Sequence, residues 1–141
     1  MGAIGSGPFE NDDAADFLNR LEALPPQQRG GRVLEALDEV LLSTGYVEAP
    51  QMCEAVAGAA AVGASVNPAA ADGEPQLPRW LATEPLPTGD EELVEKSRQV
   101  LRRAVRSQDN EWWKLWDEAG LAPDVVASCR RALSWLGDRD D

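Results

Sequence analysis

With 141 residues, 43% of them hydrophobic, the chain has the size and composition of one ordinary globular domain, able to bury a core without metals or disulfides. Its 25 Asp and Glu against 13 Lys and Arg give a formal net charge of -12. That balance repels phosphate, so it argues against nucleic acid and anionic membranes as partners and makes a basic-surfaced protein the complementary one.

Residues 1–10 are a glycine-rich lead. Asn11 then reads as the N-cap of a first helix, and Asp12 and Asp13 place negative charge at the positive end of its dipole. Ala14, Phe17, Leu18, Leu21 and Leu24 recur at helical spacing and form one apolar stripe, which Pro25-Pro26 is expected to stop. A second helix is expected from about Gly31 to Leu42, with Val33, Leu34, Leu37, Val40 and Leu41 on one side and Gly45 just past its end. A third begins near Pro50 and carries Met52, Cys53, Val56, Ala57 and Ala60 before Gly63. Its small side chains permit close helix approach, and Gly58 weakens it by about 1 kcal/mol relative to Ala. The stretch Ala55–Val66 is too short to span a bilayer. No basic region followed by an apolar run is visible in Met1–Pro8, so no secretory signal and a cytoplasmic location are expected.

Prolines at 68, 75, 78, 85 and 87 mark 63–87 as a long Pro/Ala-rich connector, with Trp80 and Leu81 anchoring it to the core. Thr88 and Glu91 fit the T-x-x-E capping box of a further helix. Leu93, Val94, Ser97, Val100, Leu101, Ala104 and Val105 keep its period, and Glu92 and Lys96 form an i,i+4 pair. Asn110 to Ala119, closed by Gly120, places Trp112, Leu115, Trp116 and Ala119 on one face. The last helix starts at Pro123 and uses Val125, Val126, Cys129, Leu133 and Leu136 until Gly137, leaving 138–141 as a frayed acidic tail. No alternating strand appears. The expected fold is all-α: a single domain, 1–141, built as an irregular bundle of about six helices.

The chain has no histidine, which removes the commonest general base, the usual partner of a serine or cysteine nucleophile, and the commonest metal ligand together. No serine sits in G-x-S-x-G, and Gly5-Ser6-Gly7 lacks both that spacing and a preceding strand. Gly2, Gly5 and Gly7 lie before a helix start, as in a phosphate loop, but Glu10, Asp12, Asp13 and Asp16 crowd the same place and no P-loop lysine follows. Those carboxylates do not have EF-hand order either. No catalytic, cofactor-binding or metal-binding residue is therefore assigned, and no cofactor is expected. Cys53 and Cys129 read as buried free thiols, and Tyr46 as a packing residue.

Arg98, Arg102 and Arg106 line one expected helix face and, with Arg103, Arg130 and Arg131, are the only basic concentration. Internal pairing with the many acids is one use for them, receiving an acidic peptide another. The tryptophans read as core except Trp113, which falls off its apolar stripe. The residues offered as possible partner contacts are thus Asp12, Asp13, Trp113, Arg98, Arg102 and Arg106.

The opening Met1-Gly2-Ala3-Ile4-Gly5-Ser6-Gly7-Pro8-Phe9-Glu10-Asn11-Asp12-Asp13-Ala14-Ala15-Asp16-Phe17 resembles the start of a bacterial family known as domain of unknown function 4259. The alanine-rich third helix and Asn110-Glu111-Trp112-Trp113-Lys114-Leu115-Trp116-Asp117-Glu118 resemble the rest of its pattern more loosely. The resemblance implies a bacterial, cytoplasmic protein and brings no activity, cofactor or catalytic residue with it. Physically, the motif specifies fold: glycines let the backbone pass close to a neighbour, Phe9 anchors, and Asn-Asp-Asp caps a helix.

The function expected is that of a non-enzymatic acidic interaction protein, such as an immunity or inhibitor protein whose acidic face blocks a basic partner. The alternative is an enzyme or small-ligand binder with a pocket between the helices and the 63–87 connector. Nothing in the pattern sets an oligomeric state.

Overall fold

Residues Ala49–Val66 form a helix around which the other elements are arranged. The computed structural model describes residues 6–43, 45–106 and 108–137. Among them are seven α-helices: α1 Asp12–Ala23, α2 Pro26–Leu41, α3 Ala49–Val66, α4 Pro68–Ala71, α5 Glu91–Ala104, α6 Glu111–Glu118 and α7 Ala122–Trp135, with one 3-10 turn at Arg79–Ala82. The chain is all-α. An isolated parallel bridge pairs Val47 with Asn110.

The third helix differs from its sequence reading. One buried face was expected, yet everything from Met52 to Ala64 is buried except Glu54, because α1, α2, α5, α6 and α7 all pack on α3. Alanines and glycines make the helix thin, so neighbours close in from every side. A Cβ on Gly58 would lie 3.1 Å from Val33 Cγ1 and 3.4 Å from Phe17 Cε2. Gly63 does not end the helix. It admits α7, where a Cβ would meet the Trp135 Cβ at 3.2 Å and the Ala132 carbonyl oxygen at 3.3 Å.

Other boundaries move for local reasons. The second helix begins at Pro26 rather than near Gly31, because proline's fixed φ and missing N–H suit a first turn. The cap of α5 is Asp90, which accepts from the Leu93 amide at 3.2 Å. The expected Thr88 cap fails because the helix starts at Glu91, leaving Thr88 outside the reach of first-turn amides. The expected Glu92–Lys96 pair forms at 3.0 Å. Part of the connector is ordered as the end of α3, α4 and the 3-10 turn, and Trp80 and Leu81 are buried as expected.

Asn110 joins α5 to α6. Its side chain accepts from the Trp113 amide at 3.1 Å and donates to the Ala104 and Arg106 carbonyls at 2.9 and 3.0 Å. On α6 only Trp112 and Trp116 turn inward, meeting edge to face with centroids 6.2 Å apart. Leu115 is 53% exposed and Ala119 is also exposed, so the four-residue apolar face expected there reduces to one i,i+4 pair on a short helix. Tyr46, expected to pack, is 52% exposed in the segment between α2 and α3. Arg106 lies beyond the end of α5, so it does not share a helix face with Arg98 and Arg102. Half of the glycine lead, 1–5, and the tail, 138–141, lie outside the described residues. Among the described residues no helix is long and apolar enough to cross a membrane.

Candidate functional site

The site begins with α1. Asn11, itself buried, accepts from the Ala14 amide at 2.8 Å, and that cap sets the helix rotation. Ala14, Phe17, Leu18 and Leu21 then face the core, while Asp12, Asp13, Asp16 and Glu22 are exposed. None of these four carboxylates joins an ion pair among the described residues.

The cations are treated differently. Arg20 and Arg32 meet Glu54 at 3.0 and 3.7 Å. Lys96 lies 2.8 Å from Asp38 and 3.0 Å from Glu92, and the hydrogen bonds it donates to those two carboxylates raise its pKa. Arg98 pairs with Glu95 at 3.0 Å and donates twice to the Leu136 carbonyl, at 3.1 and 2.7 Å, closing the end of α7. Arg102 lies 4.0 Å from Glu95. Arg131 forms two 2.9 Å bonds to Glu74, whose side chain is nearly buried. Trp113 is half-buried on α6. Asp12 and Asp13 are thus brought together on α1, whereas Arg98 and Arg102 ride on α5 and Trp113 on α6; the contact residues read from the sequence do not form one constellation.

Beside the acidic face of α1 runs a cleft of about 440 Å³ between that helix and the connector. Phe9, Leu18 and Trp80 form its buried apolar floor. Asn19 and Glu22 line it from α1, and Gln76 and Arg79 from the connector. Gln76 has φ 64, a left-handed conformation costing about 1–3 kcal/mol for a residue with a Cβ. Across the Leu77-Pro78-Arg79 wall lies a second cleft of about 510 Å³, lined mainly by small apolar side chains and Asp72.

Arg29 fixes the walls of the first cleft. It is 4% exposed, donates to the carbonyls of Leu21, Glu22 and Leu24 at 2.8, 2.9 and 3.2 Å, and pairs with Glu84 at 3.0 Å. The sequence reading passed over it because the helix was begun at Gly31. With the helix begun at Pro26, Arg29 falls on the buried stripe of Val33, Leu37 and Val40, and that position is the signal that would have found it.

The family model described as Domain of unknown function (DUF4259) matches residues 2–128. The chain belongs to that family. Comparison with curated proteins and with solved structures gives no match. The DUF4259 match takes in the opening turn, both walls of the cleft and every helix but the second half of α7.

In this DUF4259 chain residues 7–10 of the opening motif form a closed turn. The Gly7 amide donates to Glu10 Oε1 at 3.1 Å, and the Glu10 amide returns to the Gly7 carbonyl at 3.2 Å. A Cβ on Gly7 would collide with the Glu10 carboxylate and stand 3.2 Å from Glu74 Oε2. Phe9, 1% exposed, follows as the anchor.

Both cysteines of the DUF4259 chain are free and buried. Burial first, and then the Asp13 charge, push the Cys53 thiol up to about 12; burial does the same to Cys129. Among the described residues the buried Trp112 indole N–H has no partner of good hydrogen-bond geometry, but its interaction with the Cys53 thiol partly offsets that rise. Neither thiol is a nucleophile near neutral pH. Among the described residues no cluster of three or more His, Cys, Asp or Glu is placed to hold a metal ion.

Proposed function

We propose that this DUF4259 protein is a non-enzymatic bacterial protein of the cytoplasm that binds a basic-surfaced protein through the acidic face of α1, in the manner of an immunity or inhibitor protein. One observation carries the reading: Asp12, Asp13, Asp16 and Glu22 stand exposed and outside every ion pair among the described residues, while Arg20, Arg29, Arg32, Lys96, Arg98 and Arg131 are engaged internally. Unpaired exposed charge steers a partner of opposite sign, whereas paired charge contributes little.

Affinity capture from the native host followed by mass spectrometry identifies the partner, and stopped-flow kinetics then test the mode of binding. Association is expected to slow markedly as salt rises and to slow further in Asp12→Lys and Asp13→Lys, with dissociation changing less. Melting curves of both variants separate binding from the loss of favourable charge at the helix start. An association rate indifferent to salt and to both substitutions overturns the reading.

A second reading, a small-ligand binder or enzyme, draws its support from the cleft between α1 and the connector, where an apolar floor carries convergent polar groups at its rim.

A further inference from the structure

We infer that the cleft between α1 and the connector receives an extended segment of the basic partner, with an apolar side chain on the Trp80 floor and flanking Lys or Arg against the acidic lip of α1. The inference rests on the reading of the protein as a binder of basic proteins and names where, and by what chemistry, it would hold one.

Two residues with primary amides line the cleft, Asn19 from α1 and Gln76 from the connector. Each presents a donor and an acceptor, the complement of a peptide backbone unit, which offers one N–H and one C=O. A purely apolar ligand would leave both amides unused. Between them, Phe9, Leu18 and Trp80 offer a buried apolar surface, and the volume of about 440 Å³ falls in the range of pockets that enclose a ligand.

Charge selects among peptides. Glu22 is the one carboxylate lining the cleft, and exposed Asp16 and Asp12 precede Asn19 along α1 at helical spacing, so the acidic edge of the helix continues beyond the cleft toward the helix start. Arg79 alone stands on the opposite lip as a cation. An acidic segment would meet Glu22 in the cleft and, where it runs on along α1, Asp16 and Asp12; a basic one would meet them as partners. The connector wall is held in place before anything binds, since Arg29 ties Trp80 and Glu84 to the end of α1, and this preorganisation lowers the ordering cost of binding.

The test is a titration of the full ¹⁵N-labelled chain with N-acetyl-Lys-Pro-Leu-Lys-amide, in parallel with N-acetyl-Glu-Pro-Leu-Glu-amide and with free leucine. The basic peptide is expected to shift the side-chain amides of Asn19 and Gln76 and the Trp80 indole N–H to saturation, and the acidic peptide to leave them unmoved. The double variant Asn19→Ala with Gln76→Ala, both exposed positions whose fold a melting curve checks, is expected to bind about tenfold more weakly or worse. Binding unchanged in that variant overturns the inference. So do shifts spread over Glu35 and Glu39 of α2 but absent from the cleft, saturation by leucine alone, and no shift at all. The two readings fail separately. If the captured protein partner loses its salt-steered association in Asp12→Lys but not in the cleft variant, the acidic face stands and the cleft falls. If the peptide saturates the cleft while protein association ignores salt, the reverse holds.

Discussion

The Arg29 guanidinium lies over the Trp80 ring, 4.8 Å from its centroid, while its nitrogens are spent on three carbonyls at the end of α1 and on Glu84. One side chain therefore closes a helix C-terminus, starts the next helix's buried stripe and fastens the connector. Carbonyls at a helix end lack intrahelical partners, and a planar five-donor fork can satisfy several together.

Arg29→Ala is accordingly expected to cost about 3–5 kcal/mol, because it leaves buried carbonyls without donors and frees Trp80. Glu84→Gln, at a side chain 45% exposed, is expected to cost under about 1 kcal/mol. Urea denaturation measures both, and a loss below about 1 kcal/mol for Arg29→Ala would show that the connector is held by burial alone.

Two helical glycines should respond with opposite signs. Gly63→Ala sets a Cβ against the Trp135 Cβ and the Ala132 carbonyl, backbone-fixed neighbours at 3.2 and 3.3 Å that cannot turn aside. It is expected to destabilise by about 1–3 kcal/mol. Gly31 is exposed in α2 with nothing within 4 Å of a Cβ, so Gly31→Ala is expected to stabilise by up to about 1 kcal/mol. Equal shifts in the two melting temperatures would contradict the packing of α7 on α3.

Thiol titration follows from burial. With Cys53 and Cys129 held near 12 against an ordinary 9.0, neither should react with iodoacetamide in the native protein at pH 8, and both should react in denaturant. Unfolded thiols ionise from about pH 9 while folded ones keep their protons, so the native state binds more protons in that window. Stability should therefore fall as pH rises from about 9 towards 12. Rapid native labelling of Cys53 would place it nearer solvent than its burial allows.

Duplex DNA should not be retained at physiological salt, since a net charge of -12 and internally paired cations offer little to neutralise phosphates. Tight, salt-sensitive retention in a gel-shift assay would overturn this.

Helix class, the Asn11 cap, the inward stripe of Phe17, Leu18 and Leu21 and the burial of both cysteines were legible because each depends on residues a turn or two apart. Exposure of Asp12 and Asp13 was legible for the same reason. Periodicity reports which side of a helix is more apolar, but not how many neighbours surround it. Only tertiary packing decided that α3 is buried on all sides and that Gly63 is a contact instead of a stop. The cleft lay further from view. Asn19 and Gln76 come from an α-helix and a proline-rich connector, and the wall between them is positioned by a bond from Arg29 to Glu84 that spans 55 positions of chain. A local pattern carries no trace of such a bond, because its energy exists only once the elements between its ends have folded.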